Sequence, residues 1–264
     1  MQNETSSDYK PSNYCFCGGE LASFKYAVSY KVCSKCNTFI SQEPPPDSLV
    51  EFYGLKEYWY DHQREIGHPN IESRVHNDIL DGRVFFILDF ISKNCYNIES
   101  ILEIGCAPGL LLALLSKTGH NCYGIEPHPD TAKYLTDKFG VKVYSGVYPQ
   151  YTIEVKSGFD LIMALDVVEH SYEPVEFFLT TNKLLGDQGW FLLQTPIYKP
   201  EEWRAEPWGK QFPTLFRKWE HIHLFSEKGI IWLSERCGFK VIMQDRWAIG
   251  HDILLLQKRE RVFN

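Results

Sequence analysis

The sequence predicts an α/β protein, a doubly wound sheet with an antiparallel last strand, preceded by a small cysteine-bearing module. Short apolar runs at 101–104, 122–126, 141–144, 159–165 and 190–194 alternate with helical patterns at 109–117, 131–139 and 174–185. Strand alternating with helix calls for parallel pairing. The chain then ends on two strand-like runs, 239–243 and 253–257, with no helix between them, so that pair must run antiparallel. Cys15, Cys17, Cys33 and Cys36 crowd the N-terminal end, whereas Cys95, Cys106, Cys122 and Cys237 are scattered singly among apolar neighbours.

Residues 1–45 read as a zinc-binding module. Cys33-Ser34-Lys35-Cys36 is a C-x-x-C knuckle, a turn that presents two thiolates to one tetrahedral ion. Cys15-Phe16-Cys17 is the partner knuckle, with one intervening residue, so either its loop is tighter or only one of its cysteines ligates. A hairpin at 21–32 separates the pairs. Four thiolates leave no open position, which makes the zinc structural. A redox pair or free thiols are the alternatives.

Residues 46–98 form a linker, an aromatic segment and a helix. Pro44-Pro45-Pro46 is an extended connector. The run from Phe52 to Tyr60, with Tyr58-Trp59-Tyr60 at its end, has no clean period and reads as a lid or wrap-around segment rather than core. Residues 72–93 read as one helix, since Val75, Ile79, Leu80, Val84, Ile87, Leu88 and Ile91 recur at helical spacing. Residues 99–264 hold the doubly wound domain, and 226–237 is a helix with a serine N-cap and Gly238 after it.

The first strand runs into Glu103-Ile104-Gly105-Cys106-Ala107-Pro108-Gly109, a glycine turn opening onto a helix. Such a turn lets a ligand approach the backbone closely. Glu126 lies 21 positions beyond Gly105 at the end of the next strand, where a carboxylate can accept bonds from both hydroxyls of a ribose. The third glycine of a dinucleotide motif is missing, and Glu103 would repel a pyrophosphate. A carboxylate there suits the ammonium of a methionine moiety.

Leu102-Glu103-Ile104-Gly105-Cys106-Ala107-Pro108-Gly109 resembles motif I of class I S-adenosylmethionine-dependent methyltransferases, and Tyr123-Gly124-Ile125-Glu126-Pro127 resembles their second motif. The segments 159–170 and 186–196 are similar to the family's fourth- and fifth-strand regions. The likeness is to the branch with ubiquinone-biosynthesis methylases and zinc-containing sugar or natural-product methyltransferases, from about residue 100 onward. It implies a Rossmann-like seven-stranded sheet with an antiparallel last strand. S-adenosylmethionine would lie on Glu103, Gly105, Cys106, Gly109, Glu126 and Pro127, with Leu165 and Asp166 near the transferred methyl. Tyr144-Ser145-Gly146 departs from the acidic residue that many relatives use for adenine.

Methyl transfer to a weak nucleophile needs a base that takes its proton, and histidine suits neutral pH. His170 ends the fourth-strand region, and His221 and His223 precede the last helix. Glu220-His221 resembles the Glu-His pair of the zinc-containing sugar C-methyltransferases, which makes His221 the expected base and His223 the fallback. A hydrogen-bonding role stays open for each histidine. The aromatics of the 197–218 insertion, Tyr198, Trp203, Trp208, Phe212 and Phe216, either cover the acceptor or pack together.

A net charge of −7 lacks the footprint of a non-specific nucleic-acid binder, and the acceptor is expected to be a small molecule, a sugar or secondary metabolite, methylated on oxygen or carbon. No apolar run nears the roughly 18 residues of a membrane span, and the polar residues 1–10 lack a signal sequence, so a cytoplasmic location is expected. Two other functions stay open, an NAD-dependent oxidoreductase and a non-catalytic scaffold that uses its zinc module for partner contact.

Overall fold

Strands buried on both faces read as unbroken apolar runs, and the central strands do so here. The computed structural model describes residues 12–24, 27–44, 49–65, 67–199, 216, 220–248 and 251–259. Its strands are β1 (Leu21–Ser23), β2 (Tyr30–Cys33), β3 (Phe39–Ser41), β4 (Ser100–Ile104), β5 (Asn121–Glu126) and β6 (Lys142–Ser145). They continue with β7 (Phe159–Leu165), β8 (Leu185–Thr195), β9 (Ile197–Tyr198), β10 (His223–Ser226), β11 (Phe239–Ala248) and β12 (His251–Lys258). A seven-stranded sheet has the order β11-β12-β8-β7-β4-β5-β6, and a second has the order β1-β2-β3-β10-β9. In the larger sheet β4 is parallel to β5 and β7, β5 is parallel to β6, and β11 is antiparallel to β12. This is the architecture expected from the sequence.

The chain divides into two compact units. One takes in 48–165 and 183–192. Its helices are α1 (Ile71–Leu80), α2 (Arg83–Asn94), α3 (Leu110–Lys117) and α4 (Pro129–Phe139). Ile101, Leu102, Leu161, Ile162 and Met163 are fully buried in its strands. Gly109, at φ +90°, starts α3 in a conformation that side chains rarely adopt, and a Cβ there would meet Leu135 Cδ2 at 2.8 Å.

The expected single helix at 72–93 is two helices. Gly82 adopts φ +83° between them, and Asp81 Oδ1 accepts from Arg83 N–H to start α2. Apolar spacing does not register one left-handed residue, and it carried two residues to the wrong face: Leu80 is 70 % exposed and Ile79 39 %. The aromatic segment expected as a lid contains a π-helix, Leu55–His62, with Trp59 buried and Phe52, Tyr53 and Tyr58 in edge contacts.

The other unit takes in the described parts of 1–47, 166–182 and 193–259. It contains most of α5 (Pro174–Leu184) and all of α6 (Glu227–Arg236). Ser226 Oγ caps α6 by accepting from Gly229 N–H, as its sequence position suggested. The cysteine segment is joined to the C-terminal part of the chain, because β3 pairs antiparallel with β10, placing Ile40 opposite His223 and Phe39 opposite Leu224. Tyr30, Phe39 and Leu224 form a buried cluster covered by Tyr198 and Phe216. These two aromatics of the 197–218 insertion therefore pack on the cysteine-bearing sheet. Trp203, Trp208, Phe212, Pro45 and Pro46 lie outside the described residues.

Close packing beneath the glycine turn supplies a test. A Cβ on Gly124 would fall 2.5 Å from Cys106 Sγ. Gly124→Ala is expected to cost about 1–3 kcal/mol through overpacking, read as a lower melting temperature; an unchanged melt would show that this contact yields freely.

Candidate functional site

Every polar group expected at the cofactor sits where a buried strand ends. Glu103 is next to last in β4 and Glu126 ends β5; both are about 95 % buried. Gly105 N–H donates to Ile125 O, holding the turn against β5. Glu126 Oε2 accepts from Ala107 N–H at 3.3 Å, whereas Glu103 Oε2 has no hydrogen-bond partner among the described residues. Burial pushes Glu103 up to about 8, offset by the Arg83 guanidinium and reinforced by Glu126 and Asp78. Burial likewise pushes Glu126 up to about 8, against the Ala107 amide. Arg83 is itself buried, with Nη1 4.0 Å from Asp78. Cys106 is buried against Gly124, Pro127 O accepts from Ser145 Oγ, and Leu165 ends β7.

A pair of buried carboxylates, one with an unsatisfied oxygen, fits a ligand that brings an ammonium and hydroxyls. It disfavours a pyrophosphate, which brings further acceptor oxygens and no donor for the unsatisfied one. S-adenosylmethionine has the groups that this pair lacks.

In the other unit, the four thiol groups Cys15, Cys17, Cys33 and Cys36 lie within 4.8 Å of one another. Cys15 and Cys36 are 3.6 Å apart and Cys17 and Cys33 3.4 Å. Tetrahedral zinc with bonds of about 2.3 Å needs sulfurs about 3.8 Å apart, so this donor set fits a zinc ion. The one-residue spacing works because Cys15 O accepts from Gly18 N–H while Cys15 N–H donates to Gly19 O. The intervening Phe16 ring packs near His223, Phe225 and Trp232. Cys36 is held down to about 5, chiefly by the Cys15 thiol, and Cys15 is pushed up by the same bond and by burial.

The module is tied to the histidine segment by hydrogen bonds. Tyr30 Oη donates to His221 O at 2.6 Å, and Ser41 N–H to Ile222 O at 2.8 Å. Ser226 Oγ donates to Cys36 O. A 3₁₀ turn, Val168–His170, comes up against the same segment, with Ile222 N–H donating to Glu169 O. His170 Nδ1 is 2.6 Å from Glu220 O; a carbonyl only accepts, so Nδ1 carries a proton and donates. The ring's Nε2 lies 4.0 Å from Glu169 Oε1, and Glu169 Oε2 accepts from Thr195 Oγ1 at 2.8 Å. The His170 and His221 rings are 5.1 Å apart, and the ligand atoms of Glu169, His170 and His221 all fall within 4.8 Å of one another, close enough to share a proton or hold an ion.

His223 is separated from this cluster in character. Its Nδ1 contacts Ser171 O, its ring stacks on Phe225 at 5.5 Å, and burial lowers it to about 4. Glu220 is buried and raises the Tyr30 hydroxyl together with burial. Glu169 and Tyr30 are the members that sequence reasoning missed. Glu169 stands next to a candidate histidine, whereas nothing local to Tyr30 marks it. Asp166 adopts φ +58°, a strained conformation for a side-chain-bearing residue, and contacts Gln194 and His251.

The family described as a methyltransferase domain matches residues 54–244. Ubiquinone biosynthesis O-methyltransferase from Bradyrhizobium diazoefficiens is 29% identical over 107 residues, 39% of this chain and 42% of that protein. Its counterpart from Rickettsia prowazekii is 28% identical over 155 residues, 56% of this chain and 58% of that protein. The matched stretch thus spans about half of these relatives' length. Among solved structures, magnesium protoporphyrin IX methyltransferase from Synechocystis with bound SAH superposes with a TM-score of 0.60 at 16% identity, over 80% of this chain and 98% of that one. A putative methyltransferase complex with the Haloferax volcanii Trm112 activator superposes with a TM-score of 0.55 at 12% identity, over 71% of this chain and 97% of the other. At these identities the superpositions establish the fold.

Two measurements follow from the two clusters. Glu103 and Glu126 ionise near 8 in the fold and near 4.5 when unfolded, so the folded state holds extra protons between these values. Their contribution is full below about pH 4.5 and is lost as pH rises through 8. The ligand-free melting temperature should therefore fall less steeply from pH 5 to 8 in Glu103→Gln than in the wild type; equal slopes would refute the buried-proton assignment. Metal analysis should find about one zinc per chain, and stripping it should lower the melting temperature; metal-free protein with an unaltered melt would leave the cysteines as plain thiols.

Proposed function

The chain belongs to the methyltransferase-domain family, and from that premise we propose that it moves a methyl group from S-adenosylmethionine to a small-molecule acceptor. The observation that carries this reading is the Glu103–Glu126 pair at the ends of adjacent strands, buried and incompletely satisfied. Glu103 would take the ammonium, and Glu126 the ribose hydroxyls. The backbone of Gly105, Cys106 and Gly109 would give close approach, with Pro127 beside the ribose and Leu165 and Asp166 toward the methyl. When bound, the cofactor supplies an electrophilic methyl on a cationic sulfur. The protein then has to hold the acceptor in line, exclude water and take one proton.

For the proton we assign His221, with His170 and Glu169 beside it and Glu220 and His223 as supports. The His170 ring and the buried Glu169 carboxylate, 4.0 Å apart, stand beside His221 where a proton on the cluster would be shared. Zinc on Cys15, Cys17, Cys33 and Cys36 has a structural part, since the module's Tyr30 hydroxyl holds the His221 carbonyl. The acceptor class we favour is a sugar or secondary metabolite methylated on oxygen or carbon. The relatives named for ubiquinone biosynthesis support oxygen as the methylated atom. No helix among the described residues is long and apolar enough to cross a membrane.

Calorimetry with S-adenosylmethionine, S-adenosylhomocysteine and NAD tests the reading. Both sulfur ligands should bind, and Glu126→Ala should weaken them at least about tenfold, the loss of one charge-assisted contact. His221→Ala should retain cofactor affinity while losing turnover by about 10²-fold or more. Binding of NAD alone would sink the proposal, and a normal rate in His221→Ala would move the base elsewhere.

A further inference from the structure

In the unit that holds Glu103 and Glu126, one further carboxylate ties three elements together. Glu72, in the first turn of α1, accepts at both oxygens: Oε1 from Tyr134 Oη of α4 at 2.7 Å, and Oε2 from Tyr60 Oη of the π-helix at 3.3 Å. The Tyr134 hydroxyl holds the Glu72 carboxyl below its ordinary range, so it accepts as an anion at neutral pH. Glu72 is exposed, and water can replace either hydroxyl when the contact opens. A buried contact would leave its groups unsatisfied on opening.

The course of α1 gives this contact a consequence. Asp78, toward the other end of the helix, is buried, accepts from Arg74 Nε at 3.0 Å and lies 4.0 Å from Arg83 Nη1. Asp78 and Arg83 are among the charges that Glu103 feels. Six residues of helix separate Asp78 from Glu72 by about 9 Å. On the Glu72 side, α4 packs on the glycine turn, since a Cβ on Gly109 would meet Phe139 and Leu135, the residue next to Tyr134. One end of α1 is therefore fixed near Glu103 and the other to the helix that seats Gly109. Glycines in the left-handed region flank it, Gly67 at φ +97° and Gly82 at φ +83°, and a Cβ on either would meet no atom of the described residues within 4 Å. Between them the chain is tied to itself: Asn70 Oδ1 accepts from Ser73 N–H, and His68 Nδ1 is 3.0 Å from Asn77 Nδ2. A stiff piece between two open glycine turns can move as one body.

We propose that α1 is a hinged strap over the Glu103–Glu126 pair, with Glu72 as its clasp: the strap turns about Gly67 and Gly82 to admit and release S-adenosylmethionine, and the Tyr134 and Tyr60 hydroxyls hold it shut. Glu72 is a positioning residue and touches no reacting atom. The lid expected in the aromatic segment is thereby narrowed to Tyr60, which shares the clasp. The proposal rests on the reading of Glu103 and Glu126 as the cofactor site.

The test follows S-adenosylhomocysteine association and dissociation by stopped-flow fluorescence on the full-length, zinc-containing protein. A clasp that forms with and without the cofactor gates entry and exit alike. Tyr134→Phe and Glu72→Ala should therefore speed both steps together, by about fivefold, the usual net contribution of one hydrogen bond, and leave Kd nearly unchanged. Adding Tyr134→Phe to Glu72→Ala should change nothing more, because that bond is already gone. Glu72→Gln, which keeps an acceptor oxygen, should stay closer to the wild-type rates. In the wild type, S-adenosylhomocysteine should also slow hydrogen exchange across Ile71–Leu80. Faster dissociation with unchanged association, unaltered rates in Tyr134→Phe, additive effects in the double variant, or exchange that the ligand does not slow would each overturn the strap. Failure of S-adenosylhomocysteine to bind the wild type would instead defeat the methyltransferase reading.

Discussion

A strand buried on both faces has room for polar chemistry only where it ends, and that constraint arranges this protein. Between its ends β7 is apolar from Leu161 to Ala164, and β4 is apolar at Ile101 and Leu102 before Glu103. The polar groups come at the carboxyl ends: in one unit Glu103 on β4 and Glu126 on β5, and in the other Asp166 just past β7 and Gln194 near the end of β8. Parallel pairing makes the neighbours β4, β5 and β7 finish on the same side. The general rule that open α/β sheets bind ligands beyond the carboxyl ends of their strands thus has a direct cause in burial.

Burial also explains why the site is costly when empty. Two carboxylates with little water and few partners hold their protons well above the ordinary carboxylate range. A cationic, hydroxyl-rich ligand supplies what they lack, so the unfavourable environment of the free protein becomes binding strength. Arg83 moderates the cost at Glu103 without neutralising it.

The cysteine cluster acts by geometry. Four thiols gather two turns, the second leading from the end of β2 towards β3, and β3 pairs with β10, the strand that starts at His223. The Tyr30 hydroxyl, the Ser41 amide and the Cys36 carbonyl then hold successive points of the segment from His221 to Ser226. A metal held on these four thiols would in this way fix the backbone that carries His221.

By itself the sequence determined the α/β class, the order of the strands along the chain, the glycine turn with its two acids and the four-cysteine set. Each of these is written in local spacing: period, Gly105 and Gly109 after an apolar run, Glu126 at the end of the next strand, and two close cysteine pairs. The tertiary structure decided what depends on residues distant in the chain. It broke the 72–93 helix at Gly82, where one φ outweighs a continuous apolar period. It joined β3 to β10 across more than 180 residues, brought Glu169 and His170 to His221, and drew Asp166, Gln194 and His251 into one polar cluster. Spacing along a chain reports which face of an element is buried; it carries no record of which distant side chain that face will meet.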